Sequence, residues 1–287
     1  LIFVLAPRIN ALGRLDSAMD AVAMLITDDA DEAHRIAQTL EIQNIKRRAI
    51  DSQMLAEALT MVEEQVDVSK DRAVVLASPS WHPGVIGIVA TRIAEKTHLP
   101  TVLISIDGHI GKGSARSIPS FDLFQALSQC REDLVAFGGH KYAAGLTIAT
   151  RDIDAFRAHF LAVAQNAIRP EDLVPTIYIE SELSLDQIDA RLINVLKRFA
   201  PFGPQNSRPV MVSRNVEVVG APPQAGHNHL RFHARQNGRV FDCIGFDLGH
   251  LAYRLTPGES NLDIAYVIEE NDWRGRKGVQ LRIKDLR

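Results

Sequence analysis

The chain has 287 residues, of which 46% are hydrophobic and 23% are charged, a composition typical of a folded globular protein. This length favours two domains. Because the formal net charge is only −3, a site for nucleic acid would have to be a local patch of positive charge. No apolar run is long enough to cross a membrane, so we expect no membrane partner.

The two cysteines, Cys130 and Cys243, lie far apart in the sequence and in apolar stretches. This setting predicts buried free thiols rather than a disulfide or a metal site. Free thiols are typical of a reducing compartment, and we therefore expect a cytoplasmic protein.

The beginning of the chain combines an apolar run with two cations. Residues 1–5 are apolar and have no initiator methionine, so they predict the end of a buried strand whose preceding domain is absent. Residues 6–15 place Arg8, Asn10 and Arg14 around a proline and a glycine, which predicts a loop. Guanidinium groups match phosphate geometry, so this loop is a candidate phosphate-binding segment.

A long helix is predicted next, after a shorter one that ends near residue 26. Residues 29–66 contain no proline or glycine, and their apolar residues keep helical spacing. The segment Thr27-Asp28-Asp29 is the candidate cap of this helix. At about 1.5 Å per residue this helix would be about 60 Å long, enough to bridge two domains. Its polar middle, around Asn44 and Arg47, favours a solvated face.

Strands and helices then alternate, which predicts an α/β domain with a partly parallel sheet. The predicted strands cover residues 73–77, 101–106, 110–116, 134–137 and 146–149. The predicted helices cover residues 85–96, 121–130 and 152–167. The turns of this domain carry its candidate chemistry.

Two glycine-rich segments are candidate phosphate sites. Gly138 and Gly139 let the backbone approach a ligand closely, and His140 follows at once. In the second segment, Ser114 and Arg116 offer donors suited to a phosphodiester, although the arrangement is not that of a nucleotide P-loop. Short motifs often occur by chance, so the alternative for Gly138-Gly139-His140 is a tight loop with a solvated histidine and no ligand.

Prolines separate short predicted strands from residue 170 onwards, which favours a small closed β-barrel. The strands cover residues 176–180, 210–219, 229–234, 239–246, 262–269 and 279–283, with helices over 186–199 and 248–255. Cations alternate with aromatic residues here, as on surfaces that bind single strands. The candidate DNA-binding residues are Arg231, Trp273, Arg274 and Arg276. The residues assigned mainly to the core are Phe232, Phe241 and Phe246.

A series of motifs runs along essentially the whole chain in one order. The motifs are Ala6-Pro7-Arg8-Ile9-Asn10 with Gly13-Arg14-Leu15, Trp81 to Ala90, Gly113 to Ser117, Gly138 to Gly145, Pro201 to Pro204, and Val279-Gln280-Leu281. This series resembles the RecJ family of single-strand-specific 5′→3′ DNA exonucleases, part of the DHH phosphoesterase superfamily. The glycine–histidine turn alone is shared with other families, so the full series carries the resemblance.

The resemblance implies a domain order. Residues 69–168 would form the α/β DHH-associated domain, and residues 169–287 an all-β oligonucleotide-binding barrel. Residues 16–68 would form the connecting helices, with the long helix among them. Residues 1–15 would be a remnant of the catalytic DHH domain, so the chain would be the C-terminal part of a longer enzyme.

The resemblance also implies which residues meet DNA. Ser114, Arg116 and His140 would bind phosphates at the 5′ end, and the barrel would hold the strand further along. The full set of implied phosphate-binding residues is Arg8, Asn10, Arg14, Arg92, Ser114, Arg116, Gly138, Gly139 and His140. The first three of these would lie on the metal side of the cleft.

The family holds Mn²⁺ or Mg²⁺ with acidic and histidine motifs of a preceding domain, and this sequence contains neither motif. The resemblance therefore implies two-metal hydrolysis in the intact protein, with no metal ligand and no catalytic residue in this chain. The chain alone would be inactive. Single-stranded DNA is the implied partner, and a single-strand-binding protein and a helicase are candidate protein partners.

Two other functions are open at this point. One is a non-enzymatic module that binds single strands. The other is a DHH phosphodiesterase of very short oligonucleotides or cyclic dinucleotides. The barrel argues against the second, because a tiny substrate does not need a long binding track. The process implied by the resemblance is DNA repair and recombination.

Overall fold

The computed structural model describes residues 4–15, 19–203, 205–226, 228–273 and 276–287; for residues 15, 221–226, 271–273, 276 and 277 it describes the backbone. The chain forms two compact units, Leu1–Pro175 and Thr176–Arg287. None of the helices described is both long enough and apolar enough to cross a membrane.

The first unit begins with three helices, α1 (Leu5–Leu15), α2 (Met19–Ile26) and α3 (Ala30–Gln65). The prediction of a strand end followed by a loop is wrong for the described part of this segment. Pro7 lies in the first turn of α1, where a missing N–H breaks no helical hydrogen bond. Leu12 packs in a small core with Leu40 of α3, and this burial stabilises the helix despite its glycine.

The long helix α3 confirms the prediction from spacing and capping. The Asp29 carboxylate accepts hydrogen bonds from the N–H groups of Asp31 (2.9 Å) and Glu32 (3.3 Å), which satisfies donors at the helix start. The solvated face predicted for the middle of the helix is wrong in part. Asn44 is buried, and Arg47 is half-buried beside it. The cause is packing of other helices against this face, which periodicity within one helix does not reveal.

A five-stranded sheet forms the centre of the first unit. Its strands are β1 (Val74–Ser78), β2 (Thr101–Asp107), β3 (Ile110–Arg116), β4 (Ala136–Gly139) and β5 (Ala143–Ala149), in the order β1-β2-β3-β5-β4. The pair β1–β2 is parallel and flanks the helix α4 (Ile86–Thr97), whereas the other pairs are antiparallel. The predicted partly parallel sheet is therefore confirmed.

Helices cover the two faces of this sheet unequally. On one face, α5 (Leu123–Gln129) and α6 (Ile153–Ala167) pack on a continuous core that includes Phe156 and Ile148. On the other face, α3 and α4 cover β1 and β2. Beyond α4, this second face of β3, β5 and β4 stays open, and Lys112, Gly145 and Gly138 are exposed there. An open stretch of sheet beside a helix is available to a ligand.

The second unit is a closed barrel of five strands. They are β7 (Met211–Gly226), β8 (His229–Gln236), β9 (Arg239–Gly245), β10 (Leu262–Trp273) and β11 (Arg276–Leu286), and the pairing β10–β7 closes the barrel. The two-residue strand β6 (Ser181–Glu182) adds to β7, and the helix α7 spans Ala190–Arg198. A 3-10 turn at Leu185–Gln187 stands where the helix over 186–199 was predicted to begin, and the helix predicted over 248–255 is a 3-10 helix at Gly249–Arg254.

One predicted strand of this unit is wrong. Residues 176–180 are irregular, and their side chains are all exposed, so no apolar face holds them against the barrel. The barrel core contains Phe232, with Phe241 packed against it, as expected. Phe246 differs from the expectation, because it is 45% exposed and lies outside the core.

Candidate nucleic-acid interface

A row of small residues crosses the open face of the sheet in the first unit. Ser114 of β3 pairs with Gly145 of β5, which pairs with Gly138 of β4. Side chains alternate between faces along a strand, so these three positions share the open face. No atom lies within 4 Å of a Cβ built on Gly138, so a ligand can reach its backbone. We call this face, with Lys112, Ala136 and Thr147, the sheet cleft.

The sheet cleft has a volume of about 440 Å³ and a polar edge that sequence reasoning missed. Lys112 Nζ donates a hydrogen bond to Thr147 Oγ1 at 3.0 Å, across the pair β3–β5. A two-residue spacing in β3 places Lys112, Ser114 and Arg116 on one face. The signal that could have found Lys112 is this strand alternation.

The turn between β4 and β5 depends on Gly139. Its φ is +149°, and a Cβ at this position would lie 2.4 Å from the carbonyl oxygen of Ala143. His140 follows, and its N–H donates to the same carbonyl at 2.9 Å. The His140 side chain is exposed at the tip of the turn. The glycine pair thus serves two needs, a sharp turn at Gly139 and open backbone at Gly138.

Arg116 is the most tightly oriented cation of the site. Its Nε donates to Thr91 Oγ1 of α4 at 3.1 Å, and its Nη1 donates to Ser114 Oγ at 3.0 Å. Burial lowers the pKa of Arg116, and the positive charge of Arg14 lowers it further. Among the described residues, no carboxylate lies within ion-pair distance of Arg116. A half-buried cation without a carboxylate partner is a candidate site for an external anion.

Gly87 of α4 makes room for this arrangement. A Cβ on Gly87 would lie 2.9 Å from both Arg116 Nη2 and Ser114 Oγ. The loop before α4 is anchored by α3, because Glu57 Oε1 accepts hydrogen bonds from the hydroxyls of Ser78 (3.0 Å) and Ser80 (2.8 Å). The first turn of α4 contains no acidic residue, so its amide dipole favours an anion beside it.

A second concavity, the arginine pocket, lies next to Arg116 and has a volume of about 310 Å³. Three of its lining residues are cations from three elements, Arg14 of α1, Arg92 of α4 and Arg116 of β3. Its other lining residues are Gly87, Ile88, Thr91 and Glu95. Arg116 lines the arginine pocket and donates a hydrogen bond to Ser114 of the sheet cleft, so the two concavities are adjacent. The structure therefore brings together four predicted residues: Arg14, Arg92, Ser114 and Arg116. Gly138 lies on the same open face of the sheet, two strands from Ser114.

The two remaining candidates of α1 differ in their surroundings. Asn10 is exposed and lies four residues before Arg14, on the same side of the helix. Arg8 forms an ion pair with Glu41 of α3 and is not part of the arginine pocket. Arg8 therefore holds α1 against α3 in this structure.

The outer face of the barrel carries a separate group of cations and aromatic rings. Arg231 of β8 and Arg282 of β11 both pair with Ile244 of β9, so they share the outer face. The Arg282 guanidinium stacks on the Phe246 ring at 5.2 Å, and His229 contacts the same ring edge-on at 5.2 Å. We call Arg231, Arg282, His229 and Phe246 the barrel patch.

The hairpin between β10 and β11 contains the other predicted barrel residues. The backbones of Trp273 and Arg276 form the last pair of this hairpin. Their side chains and the whole of Arg274 lie outside the described part of the chain. For these three residues, a role in binding DNA stays a prediction.

One group among the described residues offers three ligand atoms to a metal ion, namely Cys130, Asp133 and His159. Burial raises the pKa of the Cys130 thiol to about 12, so the thiol keeps its proton. His159 Nδ1 lies 2.8 Å from Asp133 Oδ2. One sulfur, one nitrogen and one oxygen do not match the oxygen ligands that Mn²⁺ and Mg²⁺ prefer. These residues therefore do not fit the metals implied by the resemblance.

Two family models match the chain. The DHHA1 domain matches residues 70–166, and the RecJ OB domain matches residues 179–285. Over 99% of its length the chain is 36% identical to the single-stranded-DNA-specific exonuclease RecJ of Bacillus subtilis, and 32% identical to that of Thermus thermophilus. It spans only 36% and 40% of the length of these relatives.

Solved structures agree with these matches. The crystal structure of RecJ from Thermus thermophilus in complex with Mn²⁺ matches with a TM-score of 0.83 at 31% identity, over 98% of this chain and 40% of that chain. The structure in complex with Mg²⁺ matches with a TM-score of 0.81 at 30% identity, over 98% and 42%. The predicted combination of a DHH-associated domain with an oligonucleotide-binding barrel is confirmed: the chain contains a DHHA1 domain followed by a RecJ OB domain.

Proposed function

We propose that this chain is the DNA-binding part of a 5′→3′ exonuclease that is specific for single-stranded DNA and acts in DNA repair and recombination. The observation that carries the proposal is Arg116, a half-buried and tightly oriented cation with no carboxylate partner among the described residues. Phosphate oxygens would complete its hydrogen bonds. The named activity of the relatives, single-stranded-DNA-specific exonuclease, agrees with this assignment.

The first unit would hold the 5′ end of the strand. Ser114 and Arg116 would donate to a terminal phosphate, and His140 would approach it from the turn of β4 and β5. The small residues of the sheet cleft would let a sugar or base lie flat against the backbone. Lys112 would contribute a further positive charge at the edge of that cleft. Arg14 and Arg92 would meet the phosphodiester that enters the arginine pocket.

The barrel would hold the strand further along. A binding surface for single strands needs cations for the backbone and aromatic faces for the bases. The barrel patch has both kinds of residue, with Arg282 stacked on Phe246 and Arg231 on the same outer face. Trp273, Arg274 and Arg276 are proposed to extend this surface along the hairpin.

Divalent metal ions, Mn²⁺ or Mg²⁺, would activate water and stabilise the leaving oxygen in the intact protein. The residues of this chain would bind and orient the strand rather than hold those ions. The chain alone is therefore expected to bind single strands without cleaving them. Sustained Mn²⁺-dependent release of mononucleotides by pure chain would contradict this part of the proposal.

Protein partners would deliver the substrate in the cytoplasm. A single-strand-binding protein and a helicase are the candidates, because the strand must first be exposed and kept unpaired. The two alternative functions make different predictions about length. A phosphodiesterase of short oligonucleotides would bind a dinucleotide as tightly as a long strand, whereas a barrel that holds the strand requires a longer one.

The test is a binding series with the 287-residue chain, measured by fluorescence anisotropy. The probes are 5′-phosphorylated single strands of increasing length and a matched duplex. Affinity should rise with length until the barrel is filled, and it should be lower for the duplex. The salt dependence should have a slope of about −0.7 for each phosphate contacted. Equal affinity for all lengths, or a preference for the duplex, would contradict the proposal.

A further inference from the structure

A buried carboxylate lies behind the arginine pocket. The Asp51 side chain, on α3, is only 3% exposed. Its Oδ2 lies 3.4 Å from Arg47 Nη1 of the same helix and 3.3 Å from Arg92 Nη2 of α4. Its Oδ1 is buried and has no hydrogen-bond partner.

This carboxylate interrupts an apolar stripe. The buried positions along α3 on either side of it are Ile36, Leu40, Met54, Ala58 and Val62. Asn44 is the other polar residue on the stripe, and its Oδ1 accepts a hydrogen bond from Arg47 Nη2 at 3.0 Å. An apolar residue at position 51 would pack at less cost, because a buried ion pair contributes little to stability after the desolvation of both charges. The carboxylate therefore calls for an explanation other than stability.

The position of Arg92 supplies this explanation. Its side chain is 45% exposed and lines the arginine pocket. One of its terminal nitrogens forms an ion pair with the buried Asp51 carboxylate. A long side chain held in this way loses less conformational entropy when it binds a ligand. Arg47, which contacts the same carboxylate, lies among like charges. Burial lowers the pKa of Arg47, and although Asp51 opposes that effect, the charges of Arg48, Arg14 and Arg92 lower the pKa further.

We propose that Asp51 is a positioning residue, which fixes Arg92 in the arginine pocket so that it can bind a second phosphate of the single strand, next to the phosphate bound by Arg116. The inference rests on the proposed function and deepens it, since it assigns a phosphodiester to this pocket. Asp51 does not touch DNA. It acts through Arg92, and Arg47 shares the same carboxylate.

The sign of the effect distinguishes this role from general electrostatics. Removing a negative charge near a binding site for a polyanion should strengthen binding. If Asp51 positions Arg92, the substitution Asp51→Asn should instead weaken binding, by about fivefold for a loss of about 1 kcal/mol. The matched control is Glu95→Gln, which removes an exposed acid that lines the same pocket. This control should strengthen binding, because it removes negative charge from the same pocket.

The experiment measures the affinity of the whole chain for a 5′-phosphorylated single strand over a range of salt concentrations. The variants are Asp51→Asn, Arg92→Gln, the double variant and Glu95→Gln. Asp51→Asn and Arg92→Gln should each reduce the salt slope by about 0.7, the value for one phosphate. The double variant should bind no more weakly than Arg92→Gln, because both changes remove the same contact.

The possible failures are distinct. If the Asp51→Asn variant binds single strands as tightly as the unsubstituted chain, or more tightly, the role of Asp51 is overturned while the proposed function stands. The same holds if the affinity losses of the two single variants multiply in the double variant. Failure of the unsubstituted chain to bind any single strand would overturn the proposed function together with this inference.

A second measurement needs no change at the buried position. The guanidinium of Arg92 can be observed by ¹⁵N NMR in the unsubstituted chain and assigned with Arg92→Lys. Its rotation about Nε–Cζ should already be slow without DNA, as slow as that of Arg116, which is held by Thr91 and Ser114. Rotation as fast as that of Arg151, whose side chain is 88% exposed, would overturn the proposal.

Discussion

Gly87 and Arg116 lie in close contact: a Cβ on Gly87 would lie 2.9 Å from Arg116 Nη2. Helix α4 therefore does more than cover the sheet, since its first turn leaves the space in which Arg116 and Ser114 meet. Thr91, one turn later, holds Arg116 from the other side. The same helix thus shapes the site and orients its main cation.

The substitution Gly87→Ala should accordingly reduce affinity for single-stranded DNA while the fold is kept. The added methyl group pushes Arg116 from its position, so we expect a loss of about 1 kcal/mol, the worth of one such hydrogen bond. The melting temperature should be unchanged or slightly higher, because alanine has a higher helix propensity than glycine. The control is Gly203→Ala, since no atom lies within 4 Å of a Cβ there. Equal affinity of the two variants would contradict the close fit of Gly87 and Arg116.

The glycine pair of the turn allows a test of stability. Gly139→Ala should destabilise the first unit by about 1–3 kcal/mol, because its φ of +149° strains any other residue and the new Cβ meets the Ala143 carbonyl. Gly138→Ala is the matched control, with no atom within 4 Å of its Cβ. Chemical denaturation measures both changes. Two variants of equal stability would mean that the turn does not need Gly139.

The barrel patch predicts one aromatic residue that stacks on a base. Phe246→Ala should weaken single-strand binding by about 1–3 kcal/mol, the usual range for one stacked base. Tyr253→Ala is a suitable control, because Tyr253 is an aromatic residue of the same unit that is 75% exposed. Anisotropy on a long single strand measures both. If Phe246→Ala binds normally, or if it melts at a much lower temperature, the ring does not act as a stacking platform.

Two buried thiols and a buried phenol predict a loss of stability in alkali. Burial raises the pKa of Cys130 to about 12 and that of Tyr266 to about 12, and it also raises the pKa of Cys243. A raised pKa means that the folded state holds the proton more tightly than the unfolded state. The contribution of these three groups to the free energy of unfolding should therefore be constant below about pH 8.5 and fall as unfolded thiols and phenols ionise above it.

Iodoacetamide checks the same point at a fixed pH. At about pH 8 neither thiol of the folded chain should react, because the thiolate is the reactive form, and both should react in denaturant. Unfolding curves at increasing pH supply the second readout. Rapid alkylation of Cys130 in the folded chain would contradict its burial.

The elements that sequence reasoning predicted well depend on local signals. Asp29 caps α3, and a run without glycine or proline carries that helix to Gln65. Strand β3 was predicted with its observed bounds, Ile110–Arg116. Helix α1 was missed because a proline and a glycine read locally as a loop, whereas the structure places Pro7 in a first turn that tolerates it.

The parts of the site that were missed depend on contacts between distant segments. Asp51 was not predicted as buried, because its partner Arg92 lies on another helix. Phe246 was assigned to the core because it is aromatic, although its odd spacing from Phe241 places the two rings on opposite faces of a strand. Arg116 and Ser114 were predicted from residue type, but the absence of a carboxylate partner, within the described residues, is visible only in three dimensions.

The central claim is that Arg116 binds a phosphate at the 5′ end of a single strand. The most direct measurement combines two changes, Arg116→Gln in the protein and removal of the 5′-phosphate from the DNA. The unsubstituted chain should prefer the phosphorylated strand by about 1.5–3 kcal/mol, the worth of a hydrogen bond to a charged group. In Arg116→Gln this preference should disappear. No preference in the unsubstituted chain, or the same preference in both proteins, would contradict the claim.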